Sequence, residues 1–391
     1  MNQPPKPRIK PWNDPKIRAW VFQILVMAFV IWLAATLFTN TMVNMERRGI
    51  QTGFSFLDQT AGFGILFSLI PYEETDTYAR TFFVGLLNTV LVSGLGIVTA
   101  TLLGFVAGIA RLSRNWLVAR IAEVYVEIFR NIPLLLQIFF WYFAVLQALP
   151  VPRQSYRFHD WVFLSKRGLY MPAPIAEPGM GWVTIVFLVG LAASILIGRW
   201  ARKRREATGQ GFPVWRAALG LTVGLPLVLF LVLGSPLSWS LPELRGFNFV
   251  GGGVLLPELV ALWFALTIYT GTFIAEIVRS GIQAVSHGQT EAAAALGLRR
   301  GQVTRLVVLP QALRVIIPPL TSQYLNLTKN SSLATAIGYP DLVNVFMGTT
   351  LNQTGQAVEV VAMTMGVYLT LSLVISGVMN GYNRRVALKE R

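Results

Sequence analysis

The chain has 391 residues, of which 54% are hydrophobic and only 13% are charged, whereas soluble domains carry about 25% charged residues. Its long uncharged runs are each near the ~20 residues that cross a bilayer, so the composition excludes an ordinary soluble protein and predicts an integral membrane protein. The net charge of +15 does not favour nucleic-acid binding, because the basic residues cluster in short segments beside the apolar runs, as cytoplasmic loops do.

In chain order, a basic tail at residues 1–19 precedes an apolar run at 20–38. The tail is long and no small-x-small cleavage site follows the run, so we predict an uncleaved first span rather than a secretory signal. The first span and the polar, extracytoplasmic loop that follows it together make up residues 20–80. Further spans are predicted at 81–110, 132–149, 182–198, 214–234, 254–274, 305–324 and 358–379, followed by a basic tail at 381–391. This pattern predicts an all-α integral membrane protein with about eight transmembrane helices.

The distribution of basic residues predicts the orientation of the spans. An even number of spans places both termini on one side, together with the basic segments "GRWARKRRE" and "NRRVALKER". Loops on the other side hold most of the acidic residues, apart from the long segment at 150–180. Because short cytoplasmic loops are enriched in Lys and Arg, we predict that both termini are cytoplasmic.

Charged residues within the spans are few and lie mostly near the ends. Glu276 and Arg279 lie at the inner end of the sixth span, and Glu359 at the start of the eighth. An ion-coupled secondary carrier, which is the alternative class of transporter, would use mid-span carboxylates and inverted repeats. A membrane-embedded enzyme would need convergent nucleophiles, acids or metal ligands, and a chain with no cysteine and two separated histidines offers few. We predict no catalytic residue, metal site or cofactor.

Two pairs of glycines have the spacing that lets membrane helices approach closely. These pairs are Gly104 with Gly108 and Gly220 with Gly224. The abundance of glycine in membrane helices explains the spacing equally well, so both interpretations stay open at this point.

The segment "GQTEAAAALGLRRGQVTRLVVLPQA", residues 288–312, is a polar, helix-prone loop between apolar runs. Ser286 and Gln289 have capping-box spacing, which would place Glu291 in the first helical turn. The alanines that follow favour a helix with little side-chain bulk, Leu296 adds one apolar side chain, and Gly297 can end the helix in a left-handed conformation. A second helix is expected from 298 to 309, interrupted by Pro310. A helix lying on lipid would carry Trp, Phe or several Leu on one face; this pattern instead predicts docking into a groove of another protein.

The same segment resembles the cytoplasmic EAA loop of ATP-binding-cassette (ABC) importer permeases, in which "EAAAALG" is followed by "LPQA". The flanks "AEIVRSGIQAVSHGQTEAAAALGL" and "NLTKNSSLATAIG", and upstream "YVEIFRNIPLLLQIFF", are similar to the polar amino-acid branch, the histidine/glutamine/glutamate type. The chain departs from that branch at "RNIPLL" and "KNSSL", where "RGTPLL" and "KDTSL" are usual.

The resemblance covers about 81–149 and 255–380 and implies a type I transmembrane domain at 81–380. Its core would comprise 81–149 and 254–380, and an insertion at 150–253 would carry two extra helices. This enlarged layout is similar to that of the general L-amino acid permeases. The implied function is a permease subunit for L-amino acids in the bacterial inner membrane.

The partners implied by the resemblance are separate ABC ATPase subunits, a second permease subunit (a different chain or a second copy), an extracytoplasmic amino-acid-binding protein and the lipid bilayer. The chain has no G-x-x-x-x-G-K-[ST] motif, which agrees with ATP hydrolysis on another subunit. The residues expected to couple to the ATPase are Gly288, Glu291, Ala292, Ala293, Leu296, Gly297, Arg299, Arg300 and Pro310.

Candidate substrate-path residues are polar side chains in or beside the spans. They are Asn131, Gln137, Gln323, Asn326, Lys329, Asn330, Ser331 and Ser332. A path for zwitterionic amino acids needs hydrogen-bond donors and acceptors more than fixed charge. The same groups could equally hydrogen-bond across helices as structural contacts, so both roles stay open.

Overall fold

The computed structural model describes residues 12, 14–47 and 52–386. Its helices are α1 (Pro15–Arg47), α2 (Tyr78–Ala110), α3 (Trp116–Asn131), α4 (Leu134–Phe139), α5 (Met180–Thr208), α6 (Val214–Leu219), α7 (Leu225–Val232), α8 (Pro257–Gln283), α9 (His287–Ala295), α10 (Arg300–Val303), α11 (Leu309–Asn330), α12 (Leu351–Thr354) and α13 (Ala357–Val386). Segments with π-helical hydrogen bonding lie at Phe140–Leu146, Gly220–Gly224, Thr304–Val308 and Val343–Thr350, and a 3-10 helix extends α11 over Ser331–Ile337. The basic tails at 1–19 and 381–391 are described only at residues 12, 14–19 and 381–386.

The helices confirm a protein with about eight spans. Among the described residues, seven helices are long and apolar enough to cross a membrane, or up to eight if the bent pair of α3 with α4 and its π extension is one span. That pair is bent by 105° at Pro133, because a proline disfavours helical geometry in the residue before it. The Gln137 amide donates to the carbonyls of Phe129 (2.8 Å) and Ile132 (3.0 Å) at the bend. It therefore satisfies backbone acceptors that the bend frees.

The chain forms two compact units, and the first comprises Met1–Thr89 with Pro340–Val374. Its apolar core is built from Phe56, Tyr78, Leu342, Phe346 and Val360. Buried polar contacts join the two chain segments within this unit. The Asn88 amide donates to the Pro340 carbonyl (2.8 Å) and the Thr89 hydroxyl accepts from the Leu342 N–H (3.0 Å).

The second unit comprises Val90–Tyr339 with Ile375–Arg391. Helix α8 lies at its centre and contacts α3, α4 and α11. Side chains along its length are fully buried, including Leu262, Leu266, Ile274 and Val278. The other helices of this unit are therefore positioned by their packing against α8.

Close helix contact in the second unit depends on glycine at several positions, among them Gly104, Gly108 and Gly190. A Cβ at Gly104 would lie 2.5 Å from the Ile274 Cβ, and one at Gly108 would lie 2.6 Å from the Ala275 carbonyl oxygen. This pair therefore lets α2 approach α8. The pair Gly220 and Gly224 has no such neighbour from another helix. In the hairpin that α5 forms with α6 and α7, Gly190 of α5 lies directly against the Leu221 carbonyl.

Eight short strands occur within or beside the predicted insertion, and the sequence had not indicated them. They are β1 (Tyr156–Phe158), β2 (Val162–Ser165), β3 (Gly168–Met171), β4 (Ala173–Ala176), β5 (Leu237–Ser240), β6 (Glu243–Arg245), β7 (Asn248–Val250) and β8 (Gly253–Leu255). One antiparallel sheet has the order β1-β2-β3-β8, while β4 pairs with β5 and β6 with β7. Because β3 pairs with β8 and β4 with β5, the segments before and after the two extra helices are joined.

The glycine contact between α2 and α8 predicts a position-specific effect of one methyl group. Gly108→Ala should lower the free energy of unfolding by about 1–3 kcal/mol, because the new Cβ would overlap a backbone oxygen that cannot rotate away. The matched control is Gly94→Ala in the same helix, where nothing lies within 4 Å; it should be neutral or slightly stabilising. Thermal melting of the detergent-purified protein measures both, and equal melting temperatures would contradict the close-packing role of Gly108.

Candidate functional site

The polar loop forms the nine-residue helix α9. Ser286 occupies its N-cap position but makes no side-chain capping bond, so the predicted capping box is wrong. The first turn is instead closed by the Gln289 N–H, which donates to the Ser286 carbonyl at 3.0 Å. The side-chain oxygen of Gln289 accepts from the Gln311 amide (3.4 Å) and is therefore not free to cap α9.

Glu291 was predicted in the first turn, and that placement is wrong. Helix α9 begins at His287, which puts Glu291 one turn later, where the helix dipole contributes little. Its Oε1 lies 2.9 Å from the Nδ1 of His287, four residues earlier on the same face. Both side chains are exposed, so they form a polar edge on the outer surface of α9.

The alanine face of α9 ends in an exposed leucine. Ala293 is only 5% exposed, whereas Leu296 is 82% exposed. Gly297 adopts φ +76°, as predicted for a left-handed helix end. Its N–H donates to the Ala294 carbonyl at 2.9 Å, and the N–H of Leu298 donates to the Ala293 carbonyl at 3.3 Å. The result is a short helix with a smooth surface and one uncovered apolar side chain.

The chain then continues as one helical span through Pro310, so the predicted interruption there is wrong. Exposed Arg299 and Arg300 begin α10, and the Arg299 N–H donates to the Gln302 side-chain oxygen (2.9 Å). The π segment Thr304–Val308 lies immediately before Pro310, and the whole stretch from Arg300 to Ile337 forms a single candidate span. A proline removes one backbone donor and crowds the carbonyl four residues earlier; the wider π geometry of that turn accommodates both effects.

An ion-pair network lies on α8, seven residues before its end. Glu276 accepts hydrogen bonds from Arg111, which follows α2, and from Arg279 at 2.5 Å. Arg279 also donates to the Gln283 side-chain oxygen at 3.0 Å. The three-residue spacing of Glu276 and Arg279 is enough to suggest that they pair. Arg111 is 165 residues from Glu276 in sequence, and no sequence signal indicated that contact. The network fixes the end of α8 from which α9 emerges.

Several predicted substrate-path residues make local hydrogen bonds. The Ser331 hydroxyl donates to the Thr328 carbonyl (2.8 Å), that of Ser332 to the Lys329 carbonyl (2.7 Å), and the Asn131 amide to the Glu127 carbonyl (2.6 Å). Gln137 is buried at the α3–α4 bend, as described above. The contacts of these four residues are structural ones, and their role in a path stays a prediction.

Helix α11 brings other predicted residues onto one open face. An exposed stripe runs along it at three- or four-residue intervals: Val315, Pro319, Ser322, Asn326 and Lys329. Gln323 and Asn330 are half-buried beside this stripe. Ser322 was missed, although its spacing of four residues from Asn326 was a usable signal. Polar side chains of membrane helices face protein or water rather than lipid, so this face requires a polar neighbour.

Among the residues that the structure describes, no group of three or more His, Asp or Glu side chains is arranged to hold a metal ion.

The apolar spans, the loop helix α9 and the exposed stripe of α11 define the class as a multi-pass membrane protein. The sequence profile of the binding-protein-dependent transport system inner membrane components matches residues 100–388. The chain belongs to this family and is a multi-pass inner membrane protein.

Three relatives match nearly the whole chain. It is 57% identical to the putative amino-acid ABC transporter permease protein YhdX of Escherichia coli, covering 97% of this chain and 96% of the relative. It is 54% identical to the general L-amino acid transport system permease protein AapQ of Rhizobium johnstonii (97% and 94% covered). It is 44% identical to the glutamate/glutamine/aspartate/asparagine transport system permease protein BztB of Rhodobacter capsulatus (97% and 96% covered). The similarity thus includes the insertion at 150–253.

The Glu276 network predicts unequal costs for two glutamate substitutions. Glu276→Gln should lower the free energy of unfolding by about 1–3 kcal/mol, because it weakens hydrogen bonds to two charged groups. Glu123→Gln is the control; it breaks the exposed pair with Arg120 and should cost less than about 1 kcal/mol. Thermal melting of both variants, with a double-mutant cycle between Glu276 and Arg111, measures the coupling. A double-mutant cycle that gives no coupling energy between Glu276 and Arg111 would contradict the network.

Proposed function

We propose that the chain is the permease subunit of an ABC importer that carries L-amino acids inward, with α9 as the contact to a separate ATPase subunit. The observation that carries this proposal is the exposed Leu296 at the end of an alanine-faced helix within a polar segment, because a helix that lies on lipid would carry several large apolar side chains on one face and α9 offers a single one. The names of the relatives support the substrate class.

The connections of α9 support its role in transmitting motion. On one side it follows α8 after a short turn, and the Glu276 network anchors that end. On the other side it leads through α10 and the π segment into α11 without a break in the span. A displacement of α9 by a closing ATPase would therefore move α8 and α11 together, because packed helices shift as rigid elements.

The exposed polar stripe of α11 supports a second permease subunit. Ser322 and Asn326 offer uncharged donors and acceptors, and Lys329 adds one positive charge. These groups suit the carboxylate and ammonium ends of an amino acid. We infer that the stripe faces the second subunit across the transport path, and that an extracytoplasmic binding protein delivers the substrate to it.

The coupling role predicts loss of transport without loss of membrane insertion. Glu291→Lys should reduce uptake to background, because it reverses the charge on the outer edge of α9. Gly297→Leu should do the same, because a Cβ disfavours the positive φ of this residue by about 1–2 kcal/mol. Gly301→Leu is the matched control, since Gly301 lies four residues on in the same loop with open space around it. Uptake of radiolabelled amino acids, normalised to the amount of chain in the membrane, measures the effect.

Survival of uptake in both variants, with no nucleotide-hydrolysing subunit co-purifying with the wild-type chain, would overturn the proposed function.

The exposed leucine predicts a loss of partner affinity alone. Leu296→Ala should weaken binding of the ATPase subunit by about 10-fold or more, because fully burying a leucine side chain contributes about 1.5–3 kcal/mol. The stability of the isolated chain should not change, since the side chain is 82% exposed. The control is Leu306→Ala, another exposed leucine nearby. Co-purification with the ATPase at increasing dilution compares the affinities of the two variants. Equal affinities of the Leu296→Ala and Leu306→Ala variants would contradict docking through Leu296.

A further inference from the structure

A groove of about 690 Å³ lies in the second unit, at the end of the spans that also carries α9. Four segments form its walls: the end of α2 with the loop after it, the start of α3, the end of α8, and the π segment with the start of α11. The lining residues are Val106, Ile109, Ala110, Leu112, Ser113, Val118, Ile282, Thr304, Val308 and Leu309. The walls are apolar except for Ser113 and Thr304.

The groove adjoins an exposed apolar side of α2. Val98, Leu102, Val106 and Ile109 recur every three or four residues along α2, and all four are exposed. A stripe of this kind on a membrane span is covered by lipid. The last two of these residues also line the groove, so an acyl chain lying on α2 has a continuous apolar surface into it.

Two positively charged residues lie next to groove-lining residues in sequence. Each of the two polar lining residues is followed directly by an exposed arginine, Arg114 after Ser113 and Arg305 after Thr304. Within the part of the chain that the structure describes, neither arginine has an ion-pair partner. The acidic side chain nearest in sequence to Arg114 is Glu123, which pairs with Arg120, and the one nearest to Arg305 is Glu291, which lies beside His287.

An aromatic side chain marks the depth of the rim. Trp116, at the start of α3, is 75% exposed and lies two residues from the lining residue Val118. Exposed tryptophans on membrane proteins concentrate at the level of the lipid headgroups. The position of Trp116 therefore favours headgroup depth for Arg114 and Ser113, which lie two and three residues before it.

We propose that the groove binds an anionic phospholipid, with an acyl chain between α2 and the π segment and the phosphate beside Arg114 and Arg305. Basic pockets between membrane helices on the cytoplasmic side are suited to such headgroups. A bound lipid would contact Thr304, Val308 and Leu309, which join α10 to α11. It would therefore stabilise the connection through which α9 moves the span, and this second consequence rests on the proposed function.

The binding claim is tested on the full chain by counting retained lipid. The chain is purified from membranes, incubated with phosphatidylglycerol and washed, and the bound lipid is measured by native mass spectrometry. Arg114→Ala and Arg305→Ala should each weaken retention about fivefold, and Val308→Phe should reduce it by filling the groove while both arginines remain. Arg199→Ala, an exposed arginine of α5 at the same end of the spans, is the control and should retain lipid as the wild type does.

Equal retention by the wild type and the Arg114/Arg305 double variant would overturn the proposal, as would an equal loss in the Arg199 control. A wild-type chain that retains no phosphatidylglycerol would also overturn it and would indicate that protein fills the groove.

The functional consequence is tested on the complex in nanodiscs of phosphatidylcholine, with or without phosphatidylglycerol. ATPase activity should rise severalfold with phosphatidylglycerol in the wild type and in the Arg199→Ala variant, but not in the double variant. If no ATPase subunit assembles, the proposed function fails, while lipid retention still decides the binding claim. If lipid is retained but the activity is the same in both nanodiscs, the link to coupling is wrong.

Discussion

The position of α8 is the constraint on which the second unit depends. This helix is buried along most of its length, and two glycines of α2 let the backbones meet without intervening side chains. Its end is then fixed by Glu276, which accepts from two arginines. Since an isolated carboxylate in a membrane span is costly, the pairing also explains how a charged residue persists there. The direction in which α9 leaves the bundle is set by that anchored end.

The sequence predicted the spans well because each depends on a local property, a run of apolar residues long enough to cross a bilayer. The left-handed turn at Gly297 was likewise predictable, since few other residues adopt a positive φ. The sequence could not separate polar residues that face a transport path from polar residues that make structural hydrogen bonds. Gln137 and Ser331 are polar residues in spans like Asn326, yet they serve backbone carbonyls, and only the packing shows which face of a helix is open.

The predictions that were wrong concern competition between nearby groups. Ser286 and Gln289 had the correct spacing for a capping box, but Gln311 binds the Gln289 side chain from a neighbouring helix. Pro310 was expected to interrupt the span, but the π-helical turn before it allows the helix to continue. The contact of Arg111 with Glu276 was not predicted at all, because it depends on tertiary packing between distant segments. None of these outcomes is encoded in a short stretch of sequence.

The pairing of β3 with β8 has a consequence for how the chain is assembled. Met171 and Gly253 lie opposite each other in the sheet, so the polypeptide leaves and re-enters at almost the same point. Everything between them, including the hairpin of α5 with α6 and α7, is a closed excursion from the helical bundle. Such an element can be gained or removed as a block while the two strand ends stay in register, because the geometry at its base is the same whether the excursion is long or reduced to a turn.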